Sequence, residues 1–376
     1  MNVIDSKKID YFTIYDNPEY DACWGIAKAK DNKIYISICM EFVPGAVGQL
    51  YSFDIDKEIL ERVVDLSIVT GDDPKHGRAP QGKVHFSLCP ASDLKIYAAT
   101  HVTPPPIGLP FQYDAYGTMN DGYRYFEGSH LFYYDSVSGE IIDFGVIIPR
   151  QGVGTMLLDE NVERFFGITY PLGHLFTCNL KGRDLIDLGK VTEYYLLSII
   201  KYDDETIYFI SSDGRIVSVN PKTFKVTFTD IILPNSSRKN NIAYMSMSDS
   251  VVGPDGKVYC SLYGHTNVYR FWPEKGKIVV EDMGYPYDEE IDARFTRPRA
   301  LVFDKSGNLY YIVVKKYESY MVSLNIENNS IRNYGAIIKD DIKGTGWRMV
   351  IDDKGRIYFA DVGQIPVNLW RFNPNK

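Results

Sequence analysis

A short strand-like phrase recurs along the chain and limits what it can become. It reads Leu50-Tyr-Ser-Phe-Asp54, Leu131-Phe-Tyr-Tyr-Asp135, Leu175-Phe-Thr-Cys-Asn179, Ile216-Val-Ser-Val-Asn220, Val268-Tyr-Arg-Phe-Trp272, Met321-Val-Ser-Leu-Asn325 and Leu369-Trp-Arg-Phe-Asn373. Each copy alternates apolar with other residues, and all but one end in Asp or Asn, which favour turns. The copies start about 40–50 residues apart, except across residues 102–128, which read as an insertion. A repeat of this period built only from strands signals a β-propeller, with one four-stranded blade per repeat. Seven copies predict an all-β, seven-bladed β-propeller with antiparallel blades. Because blades bury their faces only against neighbouring blades, residues 1–376 are expected to form a single domain.

A second strand precedes each phrase, as in Lys33-Ile-Tyr-Ile-Ser37, Lys257-Val-Tyr-Cys-Ser261 and Arg356-Ile-Tyr-Phe-Ala360. Turn residues such as Asp255-Gly256, Ser306-Gly307 and Lys354-Gly355 introduce it. Upstream lie the innermost strands, predicted at 24–29, 84–88, 155–158, 196–201, 245–251, 300–303 and 348–351. Outer strands follow the phrases, several closing on Gly, as in Ile142-Asp-Phe-Gly145. The last repeat lacks an outer strand, while residues 9–15 form an orphan strand before the first. The economical closure has the N-terminal strand complete the last blade, which removes open edges.

This connectivity gathers the starts of inner strands, the ends of second strands and the starts of third strands at one rim, where function is expected on loops and strand ends. Second-strand ends place Glu41, His101, Tyr170 and His265 there. Inner-strand starts place His85, Arg150, Arg299 and Arg348, and third-strand starts place His130 and His174. All six histidines, His76 included, fall at or near this rim.

Histidines, a tyrosine and arginines suit proton transfer on an anionic substrate. One such reaction is β-elimination from a uronic acid. A cation neutralises the carboxylate, a base takes the proton on C5, and an acid protonates the departing oxygen. Hydrolysis ordinarily needs two carboxylates, for which Glu41 and Asp361 are the nominees. The elimination requires no metal or organic cofactor, and no ligand cluster compels a structural Ca²⁺ or Zn²⁺. The net charge of −8 disfavours a nucleic-acid partner. No apolar run approaches membrane-spanning length, and residues 1–15 carry charges where a signal peptide is apolar. A cytoplasmic location is expected, or an exported one if a leader has been removed. The five cysteines have no metal-ligand spacing and read as buried, reduced thiols.

Pro80-Gln-Gly-Lys-Val-His85, Ala98-Ala-Thr-His101, Glu127-Gly-Ser-His130-Leu and Gly167-Ile-Thr-Tyr170-Pro together resemble the seven-bladed propeller polysaccharide lyases of the ulvan lyase and rhamnose–glucuronate lyase type. The resemblance covers roughly residues 22–190. It implies that His85, His101 and Tyr170 carry the proton chemistry, with an arginine neutralising the uronate of a glycan or oligosaccharide. Arg183 starts an outer strand and so faces the other rim; Arg150, Arg299 and Arg348 are the nominees instead. His174, His265 and Tyr125 complete the substrate-binding set. The 102–128 insertion, with Tyr113, Tyr116 and Tyr125, is expected to wall the site. Related propellers include rhamnosidases, so a glycoside hydrolase stays open, as does a non-catalytic sugar- or protein-binding propeller. His130 and His174 occupy equivalent repeat positions, which favours a shared structural role. His76 and His265 read more plainly as blade-pinning residues.

Overall fold

The computed structural model describes residues 2–109, 125–193, 196–234, 246–263, 265–285, 298–315 and 318–376. Tyr113, Tyr116 and most of the predicted insertion lie outside the described residues. Among the described residues, strands dominate and the one α-helix is the short Leu66–Thr70, capped by Asp65 and closed by Gly71 in the left-handed region.

The strands fall into antiparallel sets of four, in chain order from inner to outer edge. The first set is Ala22–Lys28, Lys33–Cys39, Gln49–Asp54 and Ile59–Asp65. The second is Lys83–Pro90, Lys95–His101, Gly128–Asp135 and Ile141–Pro149. The third is Gly152–Asp159, Arg164–Tyr170, His174–Asn179 and Ile186–Lys190. A parallel bridge between Thr155 and Phe86 joins the second and third sets through their inner strands. Three further sets begin at Ile200, Met247 and Pro298. The last comprises Met349–Ile351, Ile357–Ala360, Asn368–Phe372 and, at its edge, the N-terminal strand Ile9–Thr13. The strand sets are consistent with seven blades, and the N-terminal strand completes the last of them as expected. Inner strands are shorter than predicted in places: the fourth begins at Ile200, and the last at Met349, leaving Arg348 just before it.

The alternation of the sequence is what buries these sheets. Second and third strands are sealed on both faces, with Tyr35, Phe53, Phe132, Phe165, Tyr259, Tyr311 and Trp370 below 2% exposure, whereas outer strands stay half exposed. Each second-strand tyrosine also has a polar end to satisfy. The hydroxyls of Tyr35, Tyr259, Tyr310 and Tyr358 donate to Asp31, Asp255, Asp304 and Asp352, at 2.7, 3.0, 3.2 and 3.2 Å. Each of those aspartates belongs to the hairpin leading into the tyrosine's own strand. The same carboxylates accept backbone N–H groups of the turn, as Asp352 does from Lys354 and Arg356. The turn is thereby fixed by one acid and one phenol.

Inner strands share a second device. The ladder between inner and second strands shifts register near the inner strand's start, between Cys23 and Gly25, Val84 and Leu88, Val153 and Thr155, Met247 and Asp249, and Arg299 and Val302. A bulge re-aims the residues within it. Trp24 and His85 lie in two of these shifts.

The chain divides into two compact units. One contains Phe12–Lys190 and Ala360–Leu369, and the other contains Val191–Phe359 with the segments up to Tyr11 and from Trp370. The first has cores around Tyr35, Leu50 and Phe132 and around Ala99, Val153 and Phe165; the second has cores around Ile9, Ile312 and Trp370 and around Tyr259 and Tyr311. All five cysteines are free and buried. Among the described residues, no helix is long and apolar enough to cross a membrane.

Candidate functional site

In the unit holding residues 12–190, the inner strands Ala22–Lys28 and Lys83–Pro90 run so close that a Cβ on Gly25 would lie 2.8 Å from the His85 carbonyl oxygen. That approach lays Trp24 against His85, rings 4.9 Å apart and inclined 26°. His85 stacks on His101 at 5.2 Å and 30°, and His101 on Tyr170 at 5.8 Å and 22°. Four rings from three sheets thus form one ladder. The sequence-predicted trio His85, His101 and Tyr170 is brought together.

Backbone carbonyls set the imidazole tautomers. His85 Nδ1 is 2.8 Å from the Gly154 carbonyl oxygen and His101 Nδ1 is 2.5 Å from that of Val102. A carbonyl oxygen only accepts, so Nδ1 carries the proton in both rings, and in the neutral form of either ring the lone pair is on Nε2. Burial, then the nearby Lys83 charge, pushes His101 down to about 3, against the opposing bond to Val102. It is therefore neutral at physiological pH. His85 and His101 are 3% and 2% exposed; Tyr170 and Trp24 are half-buried at the ladder's ends.

An ion pair flanks the ladder. Lys83 Nζ donates to Glu41 Oε1 at 2.8 Å and lies 4.7 Å over the Trp24 ring. The same oxygen accepts from Trp24 Nε1 at 2.8 Å and Thr103 Oγ1 at 3.1 Å. Burial alone would raise Glu41, but the Lys83 charge and these bonds outweigh it and hold the carboxyl below its usual range. Glu41 is in turn placed by buried Asp21, whose two carboxylate oxygens accept its backbone N–H at 2.9 Å. Sequence reasoning missed Lys83 and Trp24. Lys83 lies within the Pro80–His85 motif, but the register that sets it opposite His101 emerges only in the folded sheet. Trp24 is aimed by a bulge that periodicity does not show.

The two ends of the predicted insertion are anchored: Gly45 N donates to the Pro105 carbonyl at 2.7 Å, and Phe126 is buried against Ala79 and Val102. Tyr125 and Arg150 find each other, the guanidinium lying 4.2 Å over the ring, with Arg150 at a positive φ of 59°. His174 is held by Asp187 at 2.9 Å, as His130 is by Asp143 at 2.9 Å, and each aspartate also accepts the N–H of Gly189 or Gly145. Asn267 and Asp282 repeat the arrangement with Gly284. His174 thus has the strand-pinning partner that its repeat position suggested. Asp361 is fully buried and accepts from the backbone and side-chain nitrogens of Asn368 at 3.0 and 2.9 Å. His76 is exposed.

Arg299, Arg348 and His265 belong to the other unit. There, Arg348 pairs with the Asp249 carboxylate and donates to the Leu197 carbonyl. Asp249 also accepts Leu301 N at 2.7 Å, so the pair ties neighbouring strands. Arg299 donates to Thr345 Oγ1 at 2.6 Å and lies 4.7 Å over Trp347. His265 is 5% exposed. Among the described residues, no three His, Cys, Asp or Glu side chains converge as metal ligands would.

No protein-family model matches the sequence, and no curated protein matches it. Solved structures do. The extracellular domain of a one-component system from B. thetaiotaomicron is 14% identical with a TM-score of 0.62 over 97% of this chain, which spans 40% of that chain. Virginiamycin B lyase from Staphylococcus aureus is 13% identical, with a TM-score of 0.62 over 97% of this chain and 99% of that one. YCF48 bound to D1 peptide is 9% identical, with a TM-score of 0.59 over the whole of both chains. At these identities the likeness concerns the fold alone, and the chain is an all-β propeller.

Proposed function

We propose that the protein is a lyase that breaks a glycosidic bond to a uronic acid by β-elimination. The observation that supports this most is the ladder of His85, His101 and Tyr170, with neighbouring rings 5.2 and 5.8 Å apart. An imidazole Nε2 lone pair removes the C5 proton, the C–H electrons form the C4–C5 double bond, and the C4–O bond breaks. The Tyr170 hydroxyl protonates the leaving oxygen. Both imidazoles are restricted to the tautomer this needs. The hydrolase reading fares worse here, because Glu41 is held ionised by Lys83 and cannot serve as an acid, while Asp361 is bound to Asn368. Virginiamycin B lyase offers a parallel in class: it is a lyase on this fold, and one of its histidine-to-alanine variants is catalytically inactive.

The test is incubation with a glucuronate-containing oligosaccharide while absorbance is followed at about 235 nm, where an unsaturated uronate absorbs. His101→Ala and Tyr170→Phe should each remove the signal. The near-complete burial of both imidazoles favours a second reading, in which they pin inner strands beneath a non-catalytic binding surface. Ligand binding that is lost in His85→Ala and His101→Ala, with no turnover by the wild type, would establish that reading.

A further inference from the structure

Lys83 occupies a position to which the roles above assign nothing. It opens the inner strand of the second set and is the register partner of His101, which ends the adjacent strand. Directly opposed residues project from one face of a sheet, with Cβ atoms about 5 Å apart. The ammonium therefore faces the imidazole across the ladder, while its own side chain is 8% exposed. It has three N–H donors. Among the described residues one reaches Glu41 and the cation covers the Trp24 face, which leaves donor capacity toward the ladder.

We propose, building on the uronate reading, that Lys83 receives the substrate carboxylate and that this contact raises the basicity of His101. The described groups facing His101 include Lys83 and His85 from its own sheet and Tyr170 from the neighbouring one, with Glu41 reached through Lys83 and Asp21 behind it. Lys83 is a like charge opposite a ring that is to accept a proton, so in the empty site it disfavours the imidazolium. Glu41 already offsets part of that field; a second anion on Lys83 offsets more of it, and the ring then takes a proton more readily. The weak base of the free protein becomes a stronger one when the carboxylate arrives, and by reciprocity protonated His101 strengthens carboxylate binding. The low His101 value, for which the Lys83 charge ranks after burial, agrees with this geometry. This scheme removes the need for an arginine neutraliser.

The experiment is NMR titration of the His101 ring in the full chain, free and with glucuronate, using glucose as the neutral control. Lys83→Met alone strands Glu41 as a buried charge, so the paired variant Lys83→Met with Glu41→Gln is measured beside it. Glucuronate should raise the wild-type midpoint by about one pH unit or more, and glucose should not. The paired variant should start from a higher midpoint and not respond to glucuronate. An unchanged midpoint in the folded paired variant, or an equal glucuronate response, overturns the proposal. Absorbance at about 235 nm is followed in parallel. Wild type without that product but with the Lys83-dependent shift defeats the lyase reading and leaves Lys83 as the carboxylate site. Product formed by the paired variant with an unaltered pH profile defeats the role of Lys83 alone.

Discussion

At His101 the Val102 carbonyl keeps the proton on Nδ1, and burial together with Lys83 resists a second proton down to a pH of about 3. The unfolded chain accepts that proton near 6.5. Between those values the unfolded state binds the extra proton and the folded state does not. Folding stability contributed by this ring is thus complete above 6.5 and is lost as pH falls toward 3, at a slope of up to about 1.4 kcal/mol per pH unit. Denaturant melts of wild type and His101→Gln should diverge in slope across that window, and parallel curves would contradict the burial of a neutral imidazole. At the site itself, Tyr170→Phe should lower kcat by about a hundredfold or more while leaving the melting temperature nearly unchanged. His101 and Tyr170 were legible as ends of second strands and His85 as lying near an inner-strand start, but it was the motifs they share with the propeller lyases that singled them out among the rim residues. Lys83 was not legible, since a lysine opening a strand reads as solvated until its register partner is known. Arg348 looked like a rim cation because its partner Asp249 is remote in sequence.

Among the elements, hairpins and inner strands carry the repeat in different ways. In the four hairpins that carry it, the Asp and the Tyr were visible as a turn and a strand residue, but the bond between them depends on the tyrosine hydroxyl reaching back over the turn. Tyr358→Phe should cost about 0.5–1.5 kcal/mol in a denaturant melt, whereas Asp352→Ala, which also strands Arg356 and two turn N–H groups, should cost more. The inner-strand bulges were invisible, because period-2 patterning carries no mark of one extra residue. Gly25→Ala tests their close approach. The new methyl would meet the His85 carbonyl at 2.8 Å and Leu88 at 3.0 Å, so a loss of about 1–3 kcal/mol and a shifted His85 ring resonance are expected. A variant as stable as wild type would show that these strands can separate.

Over the whole molecule, the phrase period and the orphan N-terminal strand were the most legible features, because each blade must repeat the same burial pattern. The N-terminal strand completes the last set, with Ile9 fully buried with Trp370 and Asp10 paired with Arg371 at 2.9 Å, and the segment before it ties to the preceding set, where Ile4 N donates to the Ala336 carbonyl at 3.0 Å. Burying Ile4 and Ile9 alone contributes about 3–6 kcal/mol. Deletion of residues 1–16 should therefore lower the melting temperature far more than loss of an exposed tail would, and an unaffected transition would contradict this closure. What the chain does with its ladder of rings is decided by one assay of the intact protein on a glucuronate-containing oligosaccharide. Absorbance rising at about 235 nm in the wild type and abolished in His101→Ala and Tyr170→Phe is the predicted result. New reducing ends without that absorbance, or full activity in both variants, would contradict it.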